Sequence, residues 1–320
     1  MKLKIFATLI VFWSISHVSI AQIQSSGFTI IPMGVKGGLD ESNLSAYLVA
    51  AKDSNQFICL DAGTIHSGLK KAINNNLFKE KDANELQKKI INSYFISHGH
   101  LDHTAGLVLN SPNDSKKNIY AIPSVIEVFK KSLFSTWSWS NFGSEGDQPV
   151  IGKYKYQYLV PQQEISIEPT GLHLTPFVLS HVKPYESTAF LIRNNTTHLL
   201  YLGDTGPDAV EQSDKLFQLW NHIAPLVKEG QLKAIFIEVS FTNGVADKFL
   251  FGHLTPNWLM REMEALYDLS GSSLKKVPIY ITHIKPCSNC EFTIKKEVQE
   301  GNSLGLNFQF VEQGKQISLF

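Results

Sequence analysis

The chain is 320 residues long, with 29 basic and 29 acidic residues, 43% hydrophobic content and three cysteines. A formal charge of zero excludes the basic footprint that nucleic-acid binding needs, and three cysteines cannot pair completely within one chain. Length and hydrophobic content allow a large core, and no Pro/Gly/Ser-rich linker divides the sequence into separate domains.

At the N-terminus, Lys2 and Lys4 precede the apolar stretch 5–13, and Ser19 and Ala21 place small residues at −3 and −1 of a cleavage point. This pattern predicts a signal peptide over 1–21, cut near Ala21, and an exported, slightly acidic mature chain in a periplasmic or extracellular space. An uncleaved N-terminal anchor is the alternative, but no later run approaches the roughly 20 apolar residues of a membrane span. Residues 22–320 are expected to fold as one domain.

Strand-like runs at 28–35, 44–51 and 56–60 end in Asp61-Ala62-Gly63 and suggest an opening antiparallel meander. Residues 82–91, DANELQKKII, set charge against Leu86, Ile90 and Ile91, with Asp82 able to cap an amphipathic helix. A strand at 94–96 then leads into SHGHLDH, residues 97–103, and a short helix at 103–109. After a strand at 118–121, Pro123 opens a helix over 123–134. The stretch TWSWSNFGSEGDQP that follows is expected to be an inserted loop. Strands are predicted at 172–179, 188–193, 198–202, 232–239 and 277–282, with helices at 209–228 and 256–269. The pattern alone gives mixed α/β sheets with outer helices.

His98, His100, Asp102 and His103 lie within six residues at the end of a strand, as H-x-H-x-D-H. Imidazole and carboxylate are ligands that zinc favours, and alternating positions aim side chains in two directions, so one such loop can serve two metals. Chance clustering of histidines is the plain alternative. Four residues cannot close two sites, and three further candidates each follow an apolar β-like run: His181 after LHLTPFVLS, Asp204 after HLLYLG and His283 after VPIYIT. Of the cysteines, Cys59 sits in the apolar run QFICLDAG and reads as a core residue. Cys287 and Cys290 form C-x-x-C, for which a disulfide or two free thiols fits better than a metal site lacking two more ligands. No G-x-S-x-G elbow is present for covalent catalysis. His66, His173, His198 and His222 lack a comparable motif and read as surface or core histidines.

In order and approximate spacing these ligands resemble the metallo-β-lactamase superfamily. SHGHLDHTAG, YLGDTGPD, IEVSF, FGHLTP and ITHIKP together, over residues 28 to 320, are similar to the class II cyclic-nucleotide phosphodiesterases. The resemblance implies an αββα sandwich, two mixed β-sheets flanked by helices, built as two similar halves. It implies two divalent metal ions, zinc first, although the ligand set also tolerates manganese or iron. His98, His100 and His181 would hold one, Asp102, His103 and His283 the other, and Asp204 would bridge them. A bridging metal hydroxide would then open the 3′ ester of a 3′,5′-cyclic nucleotide, cAMP and by extension cGMP, to give the 5′-monophosphate. Asp102, Glu238 and His253 are taken as catalytic, His253 as proton donor with Glu238 as its partner. Fixing the orientation of the ligands is the alternative role for Glu238 and His253. Asp61 would brace the metal loop, with an ordinary turn residue as the alternative; Lys285, two residues after His283, is placed to approach a phosphate, although the Pro286 beside it fits a plain strand exit equally. Trp137, Trp139 or Phe142 would offer a wall for the base, unless they only pin their loop. The small cyclic nucleotide is the expected partner, with no nucleic acid and no stable membrane span, and the exposed apolar insertion leaves room for a homodimer. Another hydrolase of this fold, a tRNase Z-type nuclease or a lactonase, is the alternative enzyme. A zinc-binding module without turnover is the alternative outside enzymes.

Overall fold

The structure is a computed structural model that describes residues 26–320; the leader predicted over 1–21 lies outside the described residues. In the first sheet, β1 (Phe28–Gly34), β2 (Ala46–Ala51) and β3 (Phe57–Leu60) run antiparallel, as the opening meander predicts. The parallel strands β4 (Ile91–Phe95), β5 (Lys117–Ala121) and β6 (Tyr154–Tyr158) continue it. The second sheet repeats the plan. Its antiparallel strands are β7 (Ile165–Ile167), β8 (Leu172–Ser180), β9 (Glu186–Asn194) and β10 (Thr197–Leu202). The parallel strands β11 (Leu232–Glu238), β12 (Pro278–Thr282) and β13 (Asn307–Phe310) follow. The last strand, β14 (Ile317–Leu319), returns to pair with β1. Each sheet thus has seven strands.

Helices α1 (His66–Asn74), α2 (Ala83–Ile90), α3 (Leu101–Asn110) and α4 (Pro123–Val128) are interleaved with the first sheet. The helices α5 (Asp208–Glu211), α6 (Lys215–Lys228), α7 (Pro256–Ser270) and α8 (Cys290–Gly301) accompany the second. Buried aromatic rings join the sheets face to face. Tyr47 of β2 lies 5.3 Å from Tyr201 of β10 and 5.9 Å from Phe236 of β11, and Phe95 of β4 lies 6.0 Å from Phe190 of β9. Each such ring contributes about 1.5–3 kcal/mol through burial. Beyond the second sheet, Trp220, Ile223, Met263, Leu266 and Val298 of α6, α7 and α8 form a further apolar cluster with Ile235 and Ile279. The architecture is the αββα sandwich that the resemblance implies.

The predicted helix over 209–228 is two helices, α5 and α6. Gln212 adopts a left-handed conformation at the end of α5, and the Asp208 carboxylate accepts from the Leu216 and Phe217 amides at 3.2 and 2.9 Å, which starts α6 anew. The helix expected over 123–134 is α4 followed by a π turn at Phe129–Leu133. Among the described residues no helix is long and apolar enough to cross a membrane.

Candidate metal centre

Six strand ends face one another across the top of the sandwich. Asp61 follows β3, the 97–103 loop follows β4, His181 follows β8, Asp204 follows β10, Glu238 ends β11 and His283 follows β12. The loop after β4 is tight, because a Cβ on Gly99 would meet the Val128 side chain at 2.7 Å. It turns directly into α3, with His100 at the N-cap position and Asp102 and His103 in the first turn. Asp61, Val182, Phe251 and His283 all take positive φ, between 48° and 56°. Strained backbone of this kind concentrates at functional sites, and for β-branched Val182 it is a pronounced outlier.

The ligand atoms of His98, His100 and His181 form one group, and those of Asp102, His103, Asp204 and His283 form another, all within 4.8 Å of one another inside each group. Asp204 reaches both: its carboxylate lies 3.2 Å from His103 Nε2 and from His283 Nε2, and 3.7 Å from His98 Nε2. Asp102 Oδ2 is 3.2 Å from His283 Nε2. His100 Nδ1 and His181 Nε2 are 3.3 Å apart.

Hydrogen bonds on the far side of each ring fix which nitrogen is free. Ser97 Oγ donates to Asp61 Oδ2 at 2.8 Å, so it accepts from His98 Nδ1 at 3.0 Å. That leaves His98 Nε2 as a buried lone pair without a partner. His181 Nδ1 donates to the Gly252 carbonyl at 2.8 Å, and His103 Nδ1 donates to Asp61 Oδ2 at 2.8 Å. Ser240 Oγ donates to Glu238 Oε2 at 2.5 Å and therefore accepts from His283 Nδ1 at 2.9 Å. As a result, the Nε2 atoms of His103 and His283 face each other at 3.0 Å. Opposed lone pairs at that distance repel unless a proton or a metal cation lies between them, and a buried imidazole nitrogen without a hydrogen-bond partner has given up its solvation for nothing. The side chains present therefore fit two divalent metals.

Charge tells the same story. Burial works against an ionised Asp204, yet His103 and His283 hold its carboxyl well below the usual range, and Asp102 is depressed in the same way against its burial. Burial opposes a charge on His103, but Asp204 and Asp61 outweigh it and hold the imidazole well above its ordinary value. The positive charge favoured there is one a metal supplies. Burial, helped by His103, pushes His98 well down, and burial brings His181 to about 4, so both are neutral donors at pH 7.

Glu238 and His253 stand beside this centre, His253 Nδ1 being 2.8 Å from Glu238 Oε1 and 3.7 Å from Asp204 Oδ2. Burial, then Asp204, pushes the Glu238 carboxyl up to about 7, while burial brings His253 down to about 4. The Thr205 amide and Ser240 Oγ also donate to Glu238. Asp61 is wholly buried and accepts from the Ser97 amide and from Tyr201 Oη at 2.6 Å. Lys285 Nζ lies 5.9 Å over the Phe241 ring.

Sequence reasoning missed Ser97, Tyr201, Ser240 and the Gly252 carbonyl, which aim the rings. All four stand inside quoted motifs, Ser97 in SHGHLDH, Tyr201 in YLGDTGPD, Ser240 in IEVSF and Gly252 in FGHLTP, but the motifs do not say which partner each one holds. In the inserted loop, Trp139 packs on the core with its indole N–H on Ser111, Phe142 is buried, and Trp137 is 94% exposed. Two of the three aromatics pin the loop. Cys287 and Cys290 form a disulfide, and Cys59 is buried and free. His66, His173, His198 and His222 contribute to neither ligand group.

Two seven-stranded sheets between helices, with ligands at the strand ends, define a metallo-β-lactamase fold. The metallo-beta-lactamase fold protein YhfI from Bacillus subtilis superposes with a TM-score of 0.60 at 17% identity, over 92% of this chain and 100% of that one. Unliganded yeast PDE1 superposes with a TM-score of 0.80 at 22% identity, over 92% and 100%. In sequence, the 3′,5′-cyclic-nucleotide phosphodiesterase of Aliivibrio fischeri is 41% identical over 306 residues, 91% of this chain and 92% of that protein. The profile of the class-II cAMP phosphodiesterases matches residues 28–314. The chain belongs to that family.

Proposed function

We propose that the protein hydrolyses 3′,5′-cyclic nucleotides, cAMP and cGMP, to their 5′-monophosphates, with two zinc ions at the centre. One observation carries this reading: seven ligand atoms converge in two groups beside a Glu238–His253 pair, in a member of a phosphodiesterase family. His98, His100 and His181 would hold one metal and Asp102, His103 and His283 the other, with Asp204 between them. Two divalent ions held there would supply Lewis acidity to the phosphoryl oxygens and would lower the pKa of bound water towards neutrality.

The rest falls to the chain's own side chains. Asp61, Ser97, Ser240 and the Gly252 carbonyl hold the four imidazoles in one tautomer, so that each presents a lone pair inward. Glu238 and His253 share one proton across 2.8 Å. His253 passes it to the leaving 3′ oxygen, and Glu238 keeps the imidazole oriented and accepts the charge that remains. The centre draws on strand ends of both sheets, which supports one domain over 22–320. Export follows from the leader over 1–21, and an oxidising compartment suits the Cys287–Cys290 disulfide.

Product analysis tests the reading. Incubation with cAMP and cGMP is expected to release 5′-AMP and 5′-GMP, and Asp102→Ala is expected to lower the rate by at least about a hundredfold. Release of 3′-monophosphates, or the same rate in the variant, would contradict it.

A further inference from the structure

Beside the first ligand group a cavity of 360 Å³ opens, and His98, Gly99 and His100 form its floor. That volume lies within the range of small-molecule sites. One wall comes from α4 and the π turn, which supply Val125 and Val128 together with the hydroxyl-bearing Ser124 and Ser132. Gly99 lets Val128, the last residue of α4, come close to the metal loop. The opposite wall is the turn from β8 to β9. There Tyr185 is 57% exposed, with its ring 5.8 Å from that of His100. Glu186, at the start of β9, also lines the cavity, and its carboxylate is steadied by Lys215 Nζ at 3.2 Å. A slot with two valines and two serines on one face, a tyrosine on the other and a carboxylate in its lining therefore adjoins the place where the phosphate would sit.

We propose that this slot holds the purine of the cyclic nucleotide and that Glu186 is the residue that favours guanine over adenine. The inference rests on the cyclic-nucleotide reading above. The purine lies between Val128 and Tyr185, where stacking on the phenol ring supplies affinity for either base. Discrimination follows from hydrogen-bond chemistry. An ionised carboxylate only accepts, and guanine offers two parallel donors, N1–H and the 2-amino group, in the spacing a carboxylate takes bidentately. Adenine presents an unprotonated N1 beside its amino group, so one carboxylate oxygen would face a lone pair. A site built to accept two N–H groups rejects a base that lacks one of them.

Steady-state kinetics on the metal-loaded full-length enzyme test the proposal, with kcat/KM measured for cGMP and cAMP. In Glu186→Gln the cGMP to cAMP ratio is expected to fall by about tenfold, the size of one charge-assisted hydrogen bond. The ratio is unaffected by any uniform loss of folded or metal-loaded protein. Tyr185→Ala is expected to raise KM for both nucleotides by about tenfold while kcat changes less. A ratio unchanged within about twofold in Glu186→Gln, or an unchanged KM in Tyr185→Ala, would overturn the assignment. Wild-type enzyme that cleaves bis(p-nitrophenyl) phosphate but neither cyclic nucleotide would sink the functional reading itself, and the base slot with it.

Discussion

Glu238 and His253 lie 2.8 Å apart at a place where burial acts on them in opposite directions, raising the carboxyl to about 7 and lowering the imidazole to about 4. Their ordinary order of acidity is thereby reversed, and the pair carries one mobile proton up to about pH 7. A group that donates a proton works in its protonated form, so kcat is expected to fall as pH rises through that value. Glu238→Gln removes the carboxyl that stores the proton. It should lower kcat by roughly a hundredfold and abolish the alkaline limb of the pH–kcat profile. A profile of unchanged shape would show that the pair only positions ligands. At this scale the sequence was informative where a ligand belongs to a short motif, as in SHGHLDH. It did not give the role of Tyr201, the first residue of YLGDTGPD, whose hydroxyl reaches Asp61 only because β10 packs across from β3.

At the level of elements, the centre is a property of strand ends. Tyr47, Tyr201 and Phe236 lock the two sheets together directly beneath it, which sets the separation of the ligands each sheet delivers. Long apolar strands such as β8 and β11 were legible because their run lengths and flanking residues are unambiguous. The break between α5 and α6 was passed over, although the polar run Glu211-Gln212-Ser213-Asp214-Lys215 interrupts the apolar spacing of 209–228 there. What ends α5 is the left-handed Gln212, and what starts α6 is the distant carboxylate of Asp208. Asp208→Ala should therefore lower stability by about 1 kcal/mol in urea denaturation. No change in the midpoint would mean that packing of Trp220 and Leu219 alone positions the helix. The edge strands β7, β13 and β14 escaped the sequence because they are three or four residues long and only partly buried. The strand β6, YKYQY, did alternate buried tyrosines with more exposed residues, a signal the sequence carried.

Across the whole molecule, the two sheets repeat one plan, antiparallel strands followed by parallel ones, and face each other so that each half supplies ligands to both groups. His98 and His100 come from the first sheet and His181 from the second; Asp102 and His103 come from the first, Asp204 and His283 from the second. Metal binding should thus fasten the halves together as well as perform chemistry. The most direct test of the account is a metal titration of chelated, metal-free enzyme with zinc, following release of 5′-AMP from cAMP. The account predicts no turnover without metal and recovery that levels off at two equivalents per chain. Turnover by the metal-free protein, or full zinc occupancy without release of 5′-AMP, would contradict it.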